Sequence, residues 1–252
     1  MMLDVSGLAK KFAGVTAVSD VGFGVAEGEI VSLIGPNGAG KTSVFNMITG
    51  FYSADRGSIR FGGRELRGMV PHQIARIGVA RTFQNLELFR DMTVEGNMQV
   101  ACQCHSPVTL AGAIFRSPTA RRRERQDSAR IVTLIEAVGL RDRMDEPASQ
   151  LSYGAQRRLE IARALATGAC LLLLDEPTAG MTPAEVEDIL DLARKVRESG
   201  VTILLIEHNM HLVMRVSDRI VVMDHGIKIA DGKPEEIQGD AHVRQAYLGD
   251  AG

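Results

Sequence analysis

The chain has 252 residues, and its 29 basic and 31 acidic side chains leave a net charge of −2, which gives no general affinity for nucleic acid or anionic lipid. No apolar run approaches membrane-spanning length, and we expect no secretory signal at the N-terminus. The cysteines, Cys102, Cys104 and Cys170, are interpreted as free thiols of a cytosolic protein. We expect a single domain over residues 1–252.

Short strands alternate with turns in the N-terminal part. Residues 3–8 and 18–25 have the pattern of half-exposed strands, and residues 58–63 indicate a strand that enters a hairpin. The apolar run over residues 30–34 instead predicts a buried strand. We therefore expect an antiparallel β region beside a strand of another sheet.

The residues after this buried strand have the pattern of a phosphate-binding loop. Gly35-x-x-x-x-Gly40-Lys41-Thr42 lies between the strand and a predicted helix that stops at Gly50. The glycines let the backbone turn its N–H groups inward, and the helix points its positive dipole end at the same place. Lys41 is placed to bridge phosphates, and the Thr42 hydroxyl to ligate Mg²⁺. A glycine-rich turn that binds nothing is the disfavoured alternative.

A core strand is predicted over residues 77–83 and leads to Gln84. From there the pattern is helical. An amphipathic helix is predicted over residues 128–138. We expect a helical subdomain over about residues 85–168, and a core formed by residues 1–84 and 169–252.

The C-terminal part alternates strand, helix and strand. Residues 171–174 and 201–206 are apolar strands, and the helix between them has Thr182 as its N-cap, followed by Pro183 and Glu185. This order implies a parallel sheet covered on both faces. The expected fold is α/β, a P-loop NTPase core with a mixed, mainly parallel sheet, an N-terminal antiparallel β region and an α-helical subdomain.

Two acidic residues follow the first of these apolar strands. Asp175 is placed to hold Mg²⁺ opposite Thr42, and Glu176 to orient and deprotonate a water that attacks a γ-phosphate. Alone, such a pair would be interpreted as the start of a surface loop. The phosphate-binding loop in the same chain favours a nucleotide site.

A second helix start has the features of an anion site. Leu151-Ser-Tyr-Gly-Ala-Gln156 precedes a long helix, where Ser152 and Gly154 would present N–H groups to an anion. One chain needs a single cradle for its phosphates, so the second indicates a nucleotide shared with a partner chain. On these residues alone, an ordinary Ser N-cap is the favoured interpretation.

In order and spacing, these motifs resemble those of ATP-binding-cassette (ABC) ATPases over nearly the whole chain. The resemblance places Gln84 in the family's Q-loop, Ser152 and Gly154 in its signature motif, and makes His208 its switch histidine. It implies the cofactors ATP and Mg²⁺, with Glu176, His208 and Gln84 as catalytic residues and Thr42, Gln84 and Asp175 as metal ligands. The residues that it assigns to ATP binding are Phe12, Val18, Asn37, Gly38, Ala39, Gly40, Lys41, Thr42, Ser43, Ser152 and Gly154.

Longer stretches narrow the resemblance to the larger ATP-binding subunit of branched-chain amino acid importers. They are residues 79–84, 88–94, 156–163, 206–210 and 246–249. Tyr153 also fits this group, whereas Ala155 departs from the glutamine that the family has there.

The resemblance implies an ATP-hydrolysing subunit at the cytoplasmic face of the membrane. Its partners would be a second ATP-binding subunit, membrane permease subunits and, indirectly, a solute-binding protein, with no nucleic acid. The alternatives are the ATPase of a urea or lipid-export ABC transporter, a non-transport ABC ATPase, and a nucleotide-binding regulator without turnover. Glu176 and His208 disfavour the last of these.

Two clusters keep alternative interpretations. Leu86, Leu88, Phe89 and Met92 either belong to the core of the helical subdomain or form the groove that receives a permease helix in the family. The basic cluster Arg121–Arg125 either contacts phosphates of lipid or nucleic acid or, as the favoured interpretation, is a solvated face, because Glu124 lies within it and Asp127 follows it.

Overall fold

The fold is described from a computed structural model for residues 1–84, 86–103 and 118–248. Within these ranges, the side chains of residues 118–124 and 248 are not described. Cys104, Gly249 and the side chains of residues 121–124, which carry expectations stated above, therefore lie outside the described part.

The described residues form ten strands and nine α-helices. The strands are β1 Leu3–Phe12, β2 Val15–Val25, β3 Ile30–Ile34, β4 Arg56–Phe61, β5 Arg64–Glu65, β6 Val79–Arg81, β7 Leu171–Asp175, β8 Thr202–Ile206, β9 Arg219–Asp224 and β10 Ile227–Gly232. The helices are α1 Lys41–Ile48, α2 Pro71–Arg76, α3 Val94–Cys102, α4 Pro118–Ala137, α5 Tyr153–Ala166, α6 Pro183–Glu198, α7 Met210–Val216, α8 Pro234–Gly239 and α9 Ala241–Leu248. Among them, none is both long and apolar enough to cross a membrane.

The strands are arranged in two sheets. The N-terminal sheet has the order β2-β1-β4-β5, and all of its pairs are antiparallel. The larger sheet has the order β10-β9-β3-β8-β7-β6, in which β6, β7, β8, β3 and β9 pair in parallel and β10 pairs antiparallel with β9. The α/β fold with a mixed, mainly parallel sheet and an antiparallel N-terminal region is therefore confirmed.

The central strands of the larger sheet are covered on both faces. Every residue of β3, β7 and β8 is buried. Because successive side chains of a strand point to opposite faces, Leu172 and Leu174 join the core beneath α3–α6, whereas Leu171 and Leu173 join the core with α1 and the antiparallel sheet. This layering holds α1 against the face of the larger sheet that is turned towards the antiparallel sheet.

The strand predicted before Gln84 is shorter than expected. It was predicted to continue through Phe83, but β6 ends at Arg81. The α5 side chains explain this end, because the Phe83 amide donates to Glu160 Oε1 at 3.2 Å and the Phe83 carbonyl accepts from Arg157 Nη1 at 2.6 Å. The backbone therefore leaves the sheet and turns Gln84 towards the site.

Candidate nucleotide-binding site

The phosphate-binding loop connects β3 to α1 at the carboxyl edge of the parallel strands, where ligands bind in such sheets. Gly35 has φ 148°, and a Cβ atom there would lie 1.9 Å from the Met223 carbonyl oxygen of β9. Gly40 precedes α1 with φ 97°, and its Cβ would lie 2.4 Å from the Ala17 oxygen. Both ends of the loop thus require glycine.

Lys41 folds back over the loop. Its Nζ donates to the carbonyl oxygens of Gly35 and Pro36 at 2.7 and 2.9 Å, and the residue is only 6% exposed. Burial lowers the pKa of Lys41, while the carboxylates of Glu176 and Asp175 act in the opposite direction. Phosphate oxygens are stronger partners for an ammonium group than carbonyl oxygens, so the arrangement suits an incoming anion.

The other predicted ATP-binding residues of the loop and the start of α1 differ in exposure. Along the loop, Asn37, Gly38 and Thr42 are exposed, whereas Ala39 is buried and Ser43 half-buried. These residues are all adjacent in the loop and the first turn of α1.

The two residues of β1 and β2 that were predicted to bind ATP differ in exposure. Phe12 ends β1, is 37% exposed, and packs edge-on against Tyr52 with the ring centroids 5.1 Å apart. Val18 has no exposed surface and lies in the core beside Gly40. Lys10 Nζ lies over the Phe12 ring, 5.4 Å from its centroid, so Phe12 is only partly accessible, and Val18 supports the loop from beneath in this structure.

The three predicted catalytic residues come together around one carboxylate. His208 Nε2 lies 2.6 Å from Glu176 Oε1, and Gln84 Nε2 donates to Glu176 Oε2 at 3.2 Å. Glu176 has φ 46°, a conformation that L-residues rarely adopt, and its amide donates to the Ile206 oxygen at 2.9 Å. Three distant segments thus place their polar groups at a single point.

Glu207 holds the histidine segment in place. It is 4% exposed, and its Oε1 accepts hydrogen bonds from the amide and hydroxyl of Thr178 at 3.0 and 2.6 Å. Its Oε2 accepts from the His208 amide at 3.1 Å. This carboxylate ties the loop after β7 to the loop after β8, a role for which its position beside His208 is the only signal in the sequence.

Asp175 has a partner that the motifs did not indicate. Arg81 Nη2 donates to Asp175 Oδ2 at 2.6 Å, and both side chains are 7% exposed. The expectation that Asp175 faces Thr42 across a metal ion did not include this buried cation. The sequence carries no motif for the pair, because the two residues stand 94 positions apart.

The predicted metal ligands fit the chemistry of magnesium. Thr42, Gln84 and Asp175 offer hydroxyl, amide and carboxylate oxygens, which Mg²⁺ prefers together with water and phosphate. Arg81 engages Oδ2 of Asp175, and Gln84 contacts Glu176 through its nitrogen, so these two bonds do not use Oδ1 of Asp175 or Oε1 of Gln84. A magnesium ion is compatible with this donor set.

The second helix start is partly as expected. Ser152 is exposed and caps α5, since its hydroxyl accepts from the Ala155 amide at 3.3 Å. The Gly154 amide, expected to face an anion, instead donates to Glu185 Oε1 at 3.2 Å. A Cβ at Gly154 would lie 2.5 Å from that oxygen, so the close approach of Glu185 requires glycine.

Helix α5 also holds the backbone of Gln84. Arg157, which is fully buried, donates through Nη2 to the Gln84 carbonyl at 3.0 Å and through Nη1 to Glu160 Oε2 at 2.6 Å. Burial raises the pKa of Glu160, and Arg157 acts in the opposite direction. The buried ion pair of α5, Arg157 with Glu160, therefore holds the backbone at Gln84.

Comparisons with known proteins identify the family of this chain. The profile of the ABC transporter family matches residues 18–179, and a profile described as branched-chain amino acid ATP-binding cassette transporter matches residues 228–252. The chain therefore belongs to the ABC transporter family, as an ATP-binding subunit whose ATPase activity is coupled to transport.

Individual members of the family show which kinds of ATP-binding subunit this chain is similar to. The high-affinity branched-chain amino acid transport ATP-binding protein BraF of Pseudomonas aeruginosa is 48% identical over 99% of this chain and 98% of its own length. The corresponding LivG protein of Escherichia coli is 46% identical over the same shares. Among solved structures, a nucleotide-free ATP-binding cassette from an ABC transporter has a TM-score of 0.84 at 29% identity, covering 98% of both chains. The structure of an ATP-binding cassette in its ADP conformation has a TM-score of 0.84 at 30% identity and equal coverage.

Proposed function

We propose that this chain is the ATP-hydrolysing subunit of an importer for branched-chain or other hydrophobic amino acids. The observation that carries the proposal is the similarity, over 99% of the chain, to two ATP-binding proteins named for branched-chain amino acid transport. The match of residues 228–252 to a profile of the same description supports it.

The proposed chemistry uses the groups gathered at the sheet edge. Lys41 exchanges the carbonyl oxygens of its own loop for phosphate oxygens of ATP, and the ring face of Phe12 receives the adenine. Glu176 orients and deprotonates the attacking water, and His208, already hydrogen-bonded to that carboxylate, fixes its direction. Gln84, which also contacts Glu176, senses the γ-phosphate.

Magnesium completes the proposed site. Thr42, Gln84 and Asp175 would hold the ion, which supplies positive charge to the phosphate oxygens when it is bound. Glu176 is adjacent to Asp175 in the chain, so the same strand end would carry both the metal ligand and the general base.

A second ATP-binding subunit is part of the proposal. Ser152 and the start of α5 would contact the nucleotide held by the partner's phosphate-binding loop, with the Gly154 amide exchanging Glu185 for a phosphate oxygen. Residues 85–168 would act as the helical subdomain that moves against the core formed by residues 1–84 and 169–252. Other partners would be membrane permease subunits and, indirectly, a solute-binding protein, with the subunit at the cytoplasmic face of the membrane.

Reconstitution with the permease and solute-binding protein tests the proposal. In proteoliposomes with ATP on the side of this subunit, we expect uptake of radiolabelled leucine, isoleucine or valine that stops with Glu176→Gln. A system that takes up urea but not these amino acids would contradict the assigned substrate. ATP hydrolysis without uptake of any small solute would contradict the assignment to an importer.

A further inference from the structure

Arg81 lies between the two parts of the proposed metal site. It is the last residue of β6, and its Nη2 donates to Asp175 Oδ2, at the end of β7, at 2.6 Å. Its Nη1 donates to Asn46 Oδ1, on α1, at 2.6 Å. A single guanidinium group therefore connects the helix of the phosphate-binding loop to the strand that ends in the acid.

Both ends of this connection belong to elements that carry proposed Mg²⁺ ligands. Thr42 and Asn46 stand at positions i and i+4 of α1 and share one face of the helix. Asp175 is itself the ligand at the other end. Because a guanidinium group is planar and its nitrogens are fixed relative to one another, Arg81 sets the separation of α1 and β7 at this level.

The surroundings of Arg81 hold it in one position. Its Cζ lies 5.6 Å from the ring centroid of Phe45 and 5.2 Å from that of Phe83. The Nη1 atom also reaches Thr49 Oγ1 at 3.4 Å, and the side chain is 7% exposed. A buried and stacked guanidinium has little rotamer freedom, which is what a group needs in order to position another.

We infer that Arg81 is a positioning residue for magnesium-bound ATP. It holds one carboxylate oxygen of Asp175 and one face of α1, so that the other carboxylate oxygen and the Thr42 hydroxyl stand at a fixed separation for the cation. It also forms a direct ion pair with the buried Asp175 carboxylate before the nucleotide arrives. The inference rests on the magnesium site proposed above.

Two substitutions separate this role from general support of the fold. Arg81→Lys keeps the positive charge but replaces the rigid fork, whose two nitrogens bond Asn46 and Asp175 separately, with a single ammonium nitrogen. Asn46→Ala removes the 2.6 Å bond from Arg81 to α1 and leaves the ion pair with Asp175 in place. The matched control is Arg219→Lys, because Arg219 binds Asp231 through two bonds of 2.7 and 2.8 Å in the β9–β10 hairpin.

The experiment measures the affinity of the full chain for a fluorescent ATP analogue, with a series of Mg²⁺ concentrations and with EDTA. For Arg81→Lys, we expect the Mg²⁺ concentration at half-maximal binding to rise by about 10- to 100-fold, the range found when partners of metal ligands are removed. Asn46→Ala should shift it less in the same direction. Affinity in EDTA should stay at the wild-type value for both, and Arg219→Lys should match wild type throughout.

A comparison of wild type with Asp175→Asn separates a failure of the proposed magnesium site from a failure of the role inferred for Arg81. If wild-type binding is independent of Mg²⁺, or if Asp175→Asn keeps the Mg²⁺ dependence, the metal site itself is wrong. If these two behave as proposed but Arg81→Lys and Asn46→Ala keep the wild-type dependence, Arg81 does not position the site. Equal loss of affinity with and without Mg²⁺ would also overturn the inference, and Asn46→Ala decides the outcome if Arg81→Lys does not fold.

Discussion

At the scale of single residues, groups of the candidate site take partners from distant segments. Asp175 bonds Arg81, which is 94 positions away, and Glu176 bonds His208, which is 32 positions away. Each acid belongs to a recognisable motif at the end of an apolar strand. The positions of both acids are thus local features of the sequence, whereas their partners depend on which strands are neighbours in the sheet.

Substituting the proposed general base tests the chemistry directly. Glu176→Gln keeps the size of the side chain and removes its charge, so ATP should still bind. We expect kcat to fall by about 10²- to 10⁴-fold, as is typical when a general base is lost. Steady-state phosphate release measures turnover, and equilibrium titration with a fluorescent ATP analogue measures binding.

The matched control is Glu136→Gln, since Glu136 is exposed and its partner Arg141 lies at the end of the α4 region, away from the site. Its turnover should equal that of wild type. Near-normal turnover of Glu176→Gln would remove Glu176 from the role of base.

At the scale of elements, the segment between β6 and α3 divides into buried and exposed parts. Leu88 packs against the core, whereas Phe89 and Met92 are 46% and 39% exposed. Asn97 on α3 bonds both the amide and the carbonyl of Phe89 at 3.0 Å, and Arg163 lies 4.9 Å from its ring centroid. The core interpretation therefore applies to Leu88, and docking stays a prediction for Phe89 and Met92.

The exposed pair is the part suited to docking a permease helix. The double substitution Phe89→Asp and Met92→Asp should abolish co-purification with the permease, because two charges would enter an apolar contact. Basal ATPase and thermal unfolding should remain at wild-type values. Leu88→Asp should instead lower the free energy of unfolding by more than about 2 kcal/mol, since it places a charge in the core.

The control for docking is Ile227→Asp, which adds a charge at a residue that is 48% exposed in the β9–β10 hairpin. It should leave permease binding intact. Normal assembly by the folded Phe89 and Met92 double variant would place the contact elsewhere on the chain.

The last helix, α9, packs close to the start of the phosphate-binding loop. Tyr247 contacts a buried cluster that contains Ile34 and Val222. Burial raises the pKa of Tyr247 from 10.0 to about 12, and the backbone of Gly35 acts in the opposite direction. Between these two values, the folded state keeps a proton that the unfolded state releases.

This difference predicts a loss of stability at alkaline pH. Because the folded-state pKa is raised, the free energy of unfolding should fall as pH rises from about 10 towards 12. In Tyr247→Phe, the decline should be shallower, as measured by urea unfolding at pH values from about 9 to 11.5. Tyr52→Phe, at a tyrosine that is 43% exposed, should keep the wild-type slope. Parallel curves for wild type and Tyr247→Phe would contradict the prediction.

At the scale of the whole molecule, contacts within one chain occupy groups that the proposed dimer would use. Arg157 connects α5 to the backbone of Gln84, and Glu185 takes the Gly154 amide. In the proposed dimer, Ser152 and Gly154 serve the nucleotide held by the partner. One chain would therefore contain two half-sites that belong to different ATP molecules.

This arrangement predicts that ATPase activity per chain rises with protein concentration. A monomer would lack the second half of each site, so activity and dimer fraction should rise together, as measured by phosphate release and sedimentation velocity on the same samples. Adding excess Lys41→Ala chain should inhibit wild type by forming mixed dimers. Constant activity per chain in samples shown to be monomeric would rule out the shared site.

Local features of the sequence were enough to predict the fold class and the strands and loop that carry the site. Apolar runs, glycine positions and caps are local, and they predicted β3, β7, β8, the phosphate-binding loop and the Thr182 capping box that begins α6.

Which polar groups of the site are paired, and with which partners, depends on the tertiary structure. The early end of β6, the Arg81 bonds to Asp175 and Asn46, and the occupied Gly154 amide all depend on residues far apart in the chain. The side-chain period of a strand or helix shows which face is apolar, but it does not identify the polar group on the neighbouring element. That choice depends on strand order and helix packing, which bring Arg81 between α1 and β7.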